Sequence, residues 1–372
     1  GLMGEFALGR SQQRGPISAY EKIFGEKELK GGKILGFIPI IAACGIFTFI
    51  PIVTGWVIKY FAMILTGEML SIEPAAYFGS FGGSTSSILW TFIAFAICLY
   101  IILGGIKQGI EKVNKIMIPT LFYTIRLPGA GDGLKYLFIP NWAMLSQPIT
   151  WIMALGQAFS SASLGGCGMV VYGSYLRKQD DIPNSALNTI TFDTIAAVLA
   201  AMIIIPAVFA FQLDPAAGPP LLFITVPTII KVMPGGRLFG ILFFAAMVFA
   251  AITSFVAITE VLVEALMDRL SLDRKKSTLI IGIIGFVIAI PLSLNMNFFG
   301  AFIDVISIYI TPIAAVLSGI VFFWIYGGNK ALDEINQGAK KPLGAWLIPY
   351  AKYVFIGVSI IIVTIGIINK GM

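Results

Sequence analysis

Within residues 160–168, Ser160, Ser161 and Ser163 are followed by Gly165, Gly166 and Gly168. Hydroxyl oxygens beside backbone that no side chain shields form a set of hard ligands, suited to a cation such as Na+. The glycines also fit a plainer reading, in which they let two helices approach closely. A second group that could do chemistry is Asp193, a few residues into the apolar run 189–211. A lone carboxylate in such a run calls for a cation and could share one with Ser161; a hydrogen-bonded or protonated packing aspartate is the other reading. Thr253 and Ser254 stand side by side in the middle of another apolar run. They either bond their own helix at i−4 or form a second cage of oxygens. Glu260 and Glu264 are i, i+4 and share a helix face near the end of that run, which fits a packing or gating contact. Asp304 is one more ionisable group inside an apolar segment.

The elements that must hold these groups are membrane helices. Hydrophobic residues make up 58% of the 372 and charged residues only 12%, which excludes an ordinary soluble domain. The absence of histidine removes imidazole triads, HExxH zinc sites and histidine proton relays, and no nucleophile beside a base suggests an enzyme. Cys44, Cys98 and Cys167 sit in apolar runs without CxxC spacing and read as small packing residues. Runs of about 20 apolar residues predict spans near 34–62, 86–105, 149–176, 189–211, 238–267, 278–297, 299–326 and 345–368, with a short ninth near 110–127. The apolar loop 212–236 is expected to fold back as a cap.

Alternating these spans from a cytoplasmic residue 10 places 18 of the 25 basic residues inside: Arg10 to Lys33, Lys107 to Lys115, Arg177 and Lys178, Arg269 to Lys276, and Lys330 to Lys341. Arg126, Lys135, Lys231, Arg237 and Lys370 fall outside. That asymmetry follows the positive-inside rule, so the net charge of +6 reports topology in a lipid bilayer and no nucleic-acid partner. The run 160–168 then interrupts a span at mid-depth. Non-helical backbone survives there only where protein, ions or water satisfy it, and in secondary transporters such breaks hold substrate and coupling ions.

With these segments in place, the chain resembles a prokaryotic neurotransmitter:sodium symporter. The likeness rests on GEFALGR (4–10), TGW (54–56), GIEKVNKIMIPTLF (109–122), LPGAGDGLKYLF (127–138), GQAFSSASLGGCGMVVYGSYLRK (156–178), IPAVFAF (205–211), GPPLLFITVP (218–227), AAITSFVAITE (250–260) and WIYGGNKALDEIN (324–336). The resemblance implies an all-α polytopic membrane protein with the broken-helix, inverted-repeat (LeuT-like) fold and about nine to ten transmembrane segments. Residues 1–372 would form a single transporter domain. Residues 1–9 correspond to the tail of the second family helix, 34–176 to helices three to six and 189–368 to helices seven to eleven; the first helix is absent from the sequence and the fifth is shortened.

The family's first sodium site falls on the Ser161 hydroxyl and Asp193, and its second on the Ala250 carbonyl with the Thr253 and Ser254 hydroxyls, giving one or two Na+ sites. The family often has asparagine where this chain has Asp193. A carboxylate there supplies the negative charge that chloride supplies in animal relatives, so no chloride is expected. Substrate, expected to be an amino acid or related small amine or carboxylate, would lie over Ser160, Ser163 and Gly166, with Ile46 and Ile258 lining its side-chain pocket. Ile50 stands where the family has a substrate-contacting tyrosine. Gln157 and Glu5 match supporting residues, and Asp304 resembles an outer-gate aspartate, one residue nearer Pro312 than the family spacing. The implied function is sodium-coupled uptake across the cell (inner or plasma) membrane by alternating access. The competing expectation is a transport-incompetent truncated homologue or a membrane binding or scaffolding protein. No oligomeric contact is legible.

Overall fold

Apolar runs in this chain become helices, several of which start or stop at a glycine, a proline or a capping side chain. The structure is a computed structural model that describes residues 1–104, 126–165, 167–212, 215 and 220–368. The chain opens with α1 (Leu2–Gln12) and α2 (Pro16–Gly25). Helix α3 (Gly32–Thr66) runs for 35 residues between the left-handed glycines Gly31 and Gly67. At 1.5 Å per residue it is about 52 Å long, so it crosses a hydrocarbon core of ~30 Å with length to spare. Helices α4 (Pro74–Phe81), α5 (Thr85–Gly104) and α6 (Ala130–Phe138) follow, then the pair α7 (Pro148–Ser161) and α8 (Gly168–Ser174). The chain continues through α9 (Ile182–Ala210), α10 (Pro220–Val232), α11 (Gly236–Leu270) and α12 (Arg274–Leu294), and ends with α13 (Met296–Asn336) and α14 (Leu347–Ile368). Among the described residues, α3, α5, α9, α11, α12, α13 and α14 are each long and apolar enough to cross a membrane.

The boundaries shift from the expected ones for local reasons. Helix α9 begins at residue 182, earlier than 189, because the Asp181 side chain accepts the Asn184 N–H at 3.0 Å and caps it. Asn295 separates α12 from α13 by itself, accepting the Phe298 N–H at 3.0 Å, so one span stops at 294 rather than 297. Helix α13 contains two π turns, Val305–Ile310 and Val321–Gly327, and continues past residue 326 to Asn336 through a left-handed Gly327 (φ 111). The short span expected near 110–127 lies outside the described residues except for its last two. The cap expected over 212–236 is α10, whose Phe223, Val226, Ile229 and Ile230 are buried.

Among the described residues, three buried clusters hold the helices, a small one around Phe159 and Leu164 and two larger ones. In one, the fully buried Trp56 packs its ring against Phe78, Phe223 and Phe299 at 5.4, 5.6 and 5.1 Å between centroids, and its indole N–H donates to Ser87 Oγ at 2.7 Å. This ties α3, α4, α5, α10 and α13 together and satisfies the one polar atom the ring carries. In the other, α1 lies directly on α8: a Cβ on Gly9 would collide with the Val170 carbonyl, and one on Gly173 with the Phe6 carbonyl. The same end carries a buried ion pair. Arg10 donates from Nε to Glu334 Oε1 at 2.7 Å, from Nη1 to the Asp180 carbonyl at 2.8 Å and from Nη2 to the Glu334 carbonyl. Nearby, Asp181 Oδ2 accepts the Lys340 N–H at 2.9 Å. That amide and the Asn184 amide hold the Asp181 carboxyl below the usual carboxylate range.

Candidate functional site

The break between α7 and α8 is built by backbone geometry that follows from its residues. Ser163 takes a left-handed conformation (φ 54), its N–H bonding the Ser160 carbonyl at 3.1 Å and the Leu164 N–H bonding the Phe159 carbonyl at 2.8 Å. That is a Schellman closure, which ends α7 and satisfies its last carbonyls. Gly165 (φ 76) and Cys167 (φ 61) are also left-handed, so the chain cannot resume a helix before residue 168. In hydrocarbon the freed amides need partners, and the buried Glu5 supplies one: its Oε1 accepts the Gly165 N–H at 2.9 Å. Glu5 thus accepts one amide of the break.

The close-packing reading of the glycines holds at one of them. A Cβ on Gly165 would collide with the Thr311 carbonyl oxygen and stand 2.8 Å from the Ala315 nitrogen, whereas one on Gly168 would meet nothing within 4 Å. Gly165→Ala, which adds left-handed strain to that collision, is expected to destabilise the protein by more than about 2 kcal/mol. Gly168→Ala should change little. Thermal unfolding of the two variants in detergent compares them directly.

Beside the break lies a cavity of about 390 Å³, lined by residues of the break and of the five helices α3, α7, α8, α11 and α13. It gathers Ser160, Ser161 and Ser163 of the break, Ile46 and Ile50 of α3, and Ser254 and Ile258 of α11. Ile46 and Ile50 lie near the middle of α3, Ser254 and Ile258 near the middle of α11, and the serines sit where α7 breaks off, so the cavity sits at mid-depth. Asp193 joins through a hydrogen bond from the Ser161 hydroxyl to its Oδ2. A carboxylate and a hydroxyl held together are a hard-oxygen donor pair that fits Na+.

Other expected residues are placed differently. The Thr253 hydroxyl donates to the Phe249 and Ala250 carbonyls, both at 2.9 Å, so it is turned onto its own helix and keeps the Ala250 oxygen beside it. Gln157 and Asp304 are exposed and do not line the cavity. Gly166 lies outside the described residues. Glu260 makes a two-pronged ion pair with Arg274, at 2.8 and 2.7 Å, that joins the end of α11 to the start of α12. The sequence reading did not single out Phe49, Tyr172, Ser307 or Thr311, all of which line the cavity. The hydroxyls of Ser307 and Thr311, four residues apart before Pro312, were a signal available for the last two.

Comparison with known proteins agrees with this geometry. The model of the sodium:neurotransmitter symporter family matches residues 68–371. An uncharacterized sodium-dependent transporter of Bacillus subtilis is 30% identical over 361 residues, covering 91% of this chain and 79% of its own length. Another from Methanocaldococcus jannaschii is 32% identical over 372 residues, covering 92% and 75%. The crystal structure of MhsT in complex with L-phenylalanine superposes with a TM-score of 0.89 at 27% identity, over 98% of this chain and 87% of MhsT. These relatives are transporters, not enzymes. The chain therefore belongs to the sodium:neurotransmitter symporter family, as a multi-pass, sodium-dependent membrane transporter of small molecules with the broken-helix, LeuT-like fold.

Proposed function

We propose that the protein takes up an amino acid, or a related small amine or carboxylate, across the cell membrane by alternating access coupled to Na+. One observation carries the reading: the mid-depth cavity has the hydroxyls of a broken helix on one side, Ile46, Ile50 and Ile258 on the other, and the Ser161–Asp193 pair at its edge. An amphipathic solute with a charged backbone end and an apolar side chain matches that division. The amino acid bound by MhsT supports the same substrate class.

In this scheme residues 1–372 act as one transmembrane domain, and Ser160, Ser163 and Gly166 cradle the substrate's polar end. Ser161 and Asp193 hold one sodium ion. A second would take the Ala250 carbonyl and the Thr253 and Ser254 hydroxyls, whose oxygens keep lone pairs free beyond their hydrogen bonds. Glu5 and Gln157 support the break and Asp304 gates the outer approach. Asp193 supplies a fixed negative charge, so no chloride is needed. Because a ligand shifts a conformational equilibrium only through its differential affinity for the two states, the inward sodium gradient drives uptake when ion and substrate together favour the rearranged state.

Uptake of labelled amino acids into proteoliposomes tests the whole reading. An inward sodium gradient should drive accumulation of at least one amino acid, equally with chloride or gluconate as the anion, and replacing sodium by potassium should stop it. Sodium-dependent binding without accumulation would favour a binding or scaffolding protein instead.

A further inference from the structure

One wall of the cavity, formed by Ser307 and Thr311 of α13, has no part in the symport scheme. Four buried or half-buried threonines of these helices return their hydroxyls to the carbonyl one turn back: Thr48 to Cys44 at 2.7 Å, Thr54 to Ile50 at 2.9 Å, Thr91 to Ser87 at 2.9 Å and Thr259 to Phe255 at 2.6 Å. That bond keeps a hydroxyl satisfied inside a membrane helix. Thr311 lacks it. It follows the π turn Val305–Ile310, and its own N–H bonds the Ile306 carbonyl, five residues back. The π register displaces the carbonyl that an α-helix would set beneath the hydroxyl. Thr311 Oγ1 is buried without a hydrogen-bond partner, as are Thr225 Oγ1 and Thr278 Oγ1, but of these three only Thr311, 4% exposed, lines the cavity. Its carbonyl abuts Gly165, so the hydroxyl stands close to the break.

A hydroxyl left unpaired in a closed site carries a desolvation cost that a matching ligand group removes. The cavity lining holds no carboxylate, ammonium or guanidinium group, so a charged group meeting Thr311 would lack a counter-ion there. We propose that Thr311 is a specificity-determining residue, and that the transported amino acid carries a side chain ending in a neutral hydroxyl or carboxamide that pairs with the Thr311 hydroxyl. This rests on the amino-acid reading above. The body of that side chain packs on Ile46 and Ile258, and its tip replaces the helical carbonyl that the π turn withdraws.

Sites built to hydrogen-bond a ligand group discriminate strongly against analogues lacking it, whereas purely apolar sites do not. The test uses shape-matched pairs: L-threonine and L-valine, L-glutamine and L-methionine, L-tyrosine and L-phenylalanine. Affinity is read from sodium-dependent thermal stabilisation of the full chain in detergent, with potassium as the control. In the unaltered protein the polar member of at least one pair should bind about tenfold more tightly than its apolar twin. Thr311→Val, which keeps the shape, should erase that preference while leaving the apolar twin within about threefold of its starting affinity, and Thr311→Ser should retain the preference. Preference for the apolar member of every pair, or equal weakening of both members by Thr311→Val, overturns the inference and leaves the amino-acid reading standing. Absence of any sodium-dependent shift overturns that reading, and this inference with it.

Discussion

Replacing Asp193 by alanine is expected to abolish the sodium dependence of substrate binding and uptake while leaving the protein folded. Asp193 is half-buried and its carboxylate accepts the Ser161 hydroxyl, so the variant removes a charge and the proposed ion ligand without opening a tightly packed core. A cation that binds only the folded state stabilises it by RT ln(1 + [L]/Kd), about 2.7 kcal/mol at one hundred times Kd. The unaltered protein should therefore melt at a higher temperature in sodium than in potassium at equal ionic strength, and Asp193→Ala should melt alike in both. Asp193→Asn, which keeps an oxygen ligand but not the charge, should fall between them. Full sodium dependence in the alanine variant would exclude Asp193 from the ion site.

The second large effect is on stability. The Arg10 side chain is 1% exposed and the Glu334 side chain 15%, so Glu334→Ala leaves a guanidinium buried without its counter-ion. Breaking a buried pair from one side costs about 3–5 kcal/mol. Replacing both partners, as in Arg10→Met with Glu334→Ala, should cost much less, because the uncompensated charge is gone. The exposed pair Lys135–Asp132, with side chains 68% and 69% exposed, is the natural comparison: Asp132→Ala should cost under about 1 kcal/mol. Thermal unfolding of the three variants and the unaltered protein in detergent gives the ranking. A double variant as unstable as Glu334→Ala alone would mean that losing the Arg10 contacts to the Asp180 and Glu334 carbonyls costs as much as leaving the guanidinium without its counter-ion.

Composition carries much of this architecture. The interruption at 162–167 is legible because serine and glycine displace apolar residues there, and the pairing of Ser161 with Asp193 because a lone carboxylate in an apolar run demands a partner. Hydrogen-bond register is not legible in the same way. Nothing in the residue types of Val305–Ile310 separates a π turn from an α-helix, yet that turn decides which way the wall of the cavity faces. Asp304, the obvious ionisable group of α13, is exposed outside the cavity, while the unremarked Ser307 and Thr311 line it. Likewise the residue type of Thr253 does not reveal that its hydroxyl donates to two carbonyls of its own helix, which leaves its oxygen lone pairs alone to meet a ligand. The continuation of α13 to Asn336 is hidden because its polar sequence, GNKALDEIN, reads as a loop until the Arg10–Glu334 contact is known. Glu5 shows the reverse case: family resemblance marks it as a support, and only the fold supplies the reason, a backbone amide at Gly165 that needs an acceptor.

Threonine in this protein also bears on how polarity is counted. A hydropathy average scores Thr48, Thr54 and Thr91 as polar, yet each has spent its hydroxyl on its own helix and shows its neighbours a methyl group. Their effective hydrophobicity is nearer that of valine. A change of one residue in backbone register withdraws the accepting carbonyl and makes the same side chain polar again. New polar contacts can therefore arise in a membrane helix through insertion or deletion alone, with no change in the amino acids that make them.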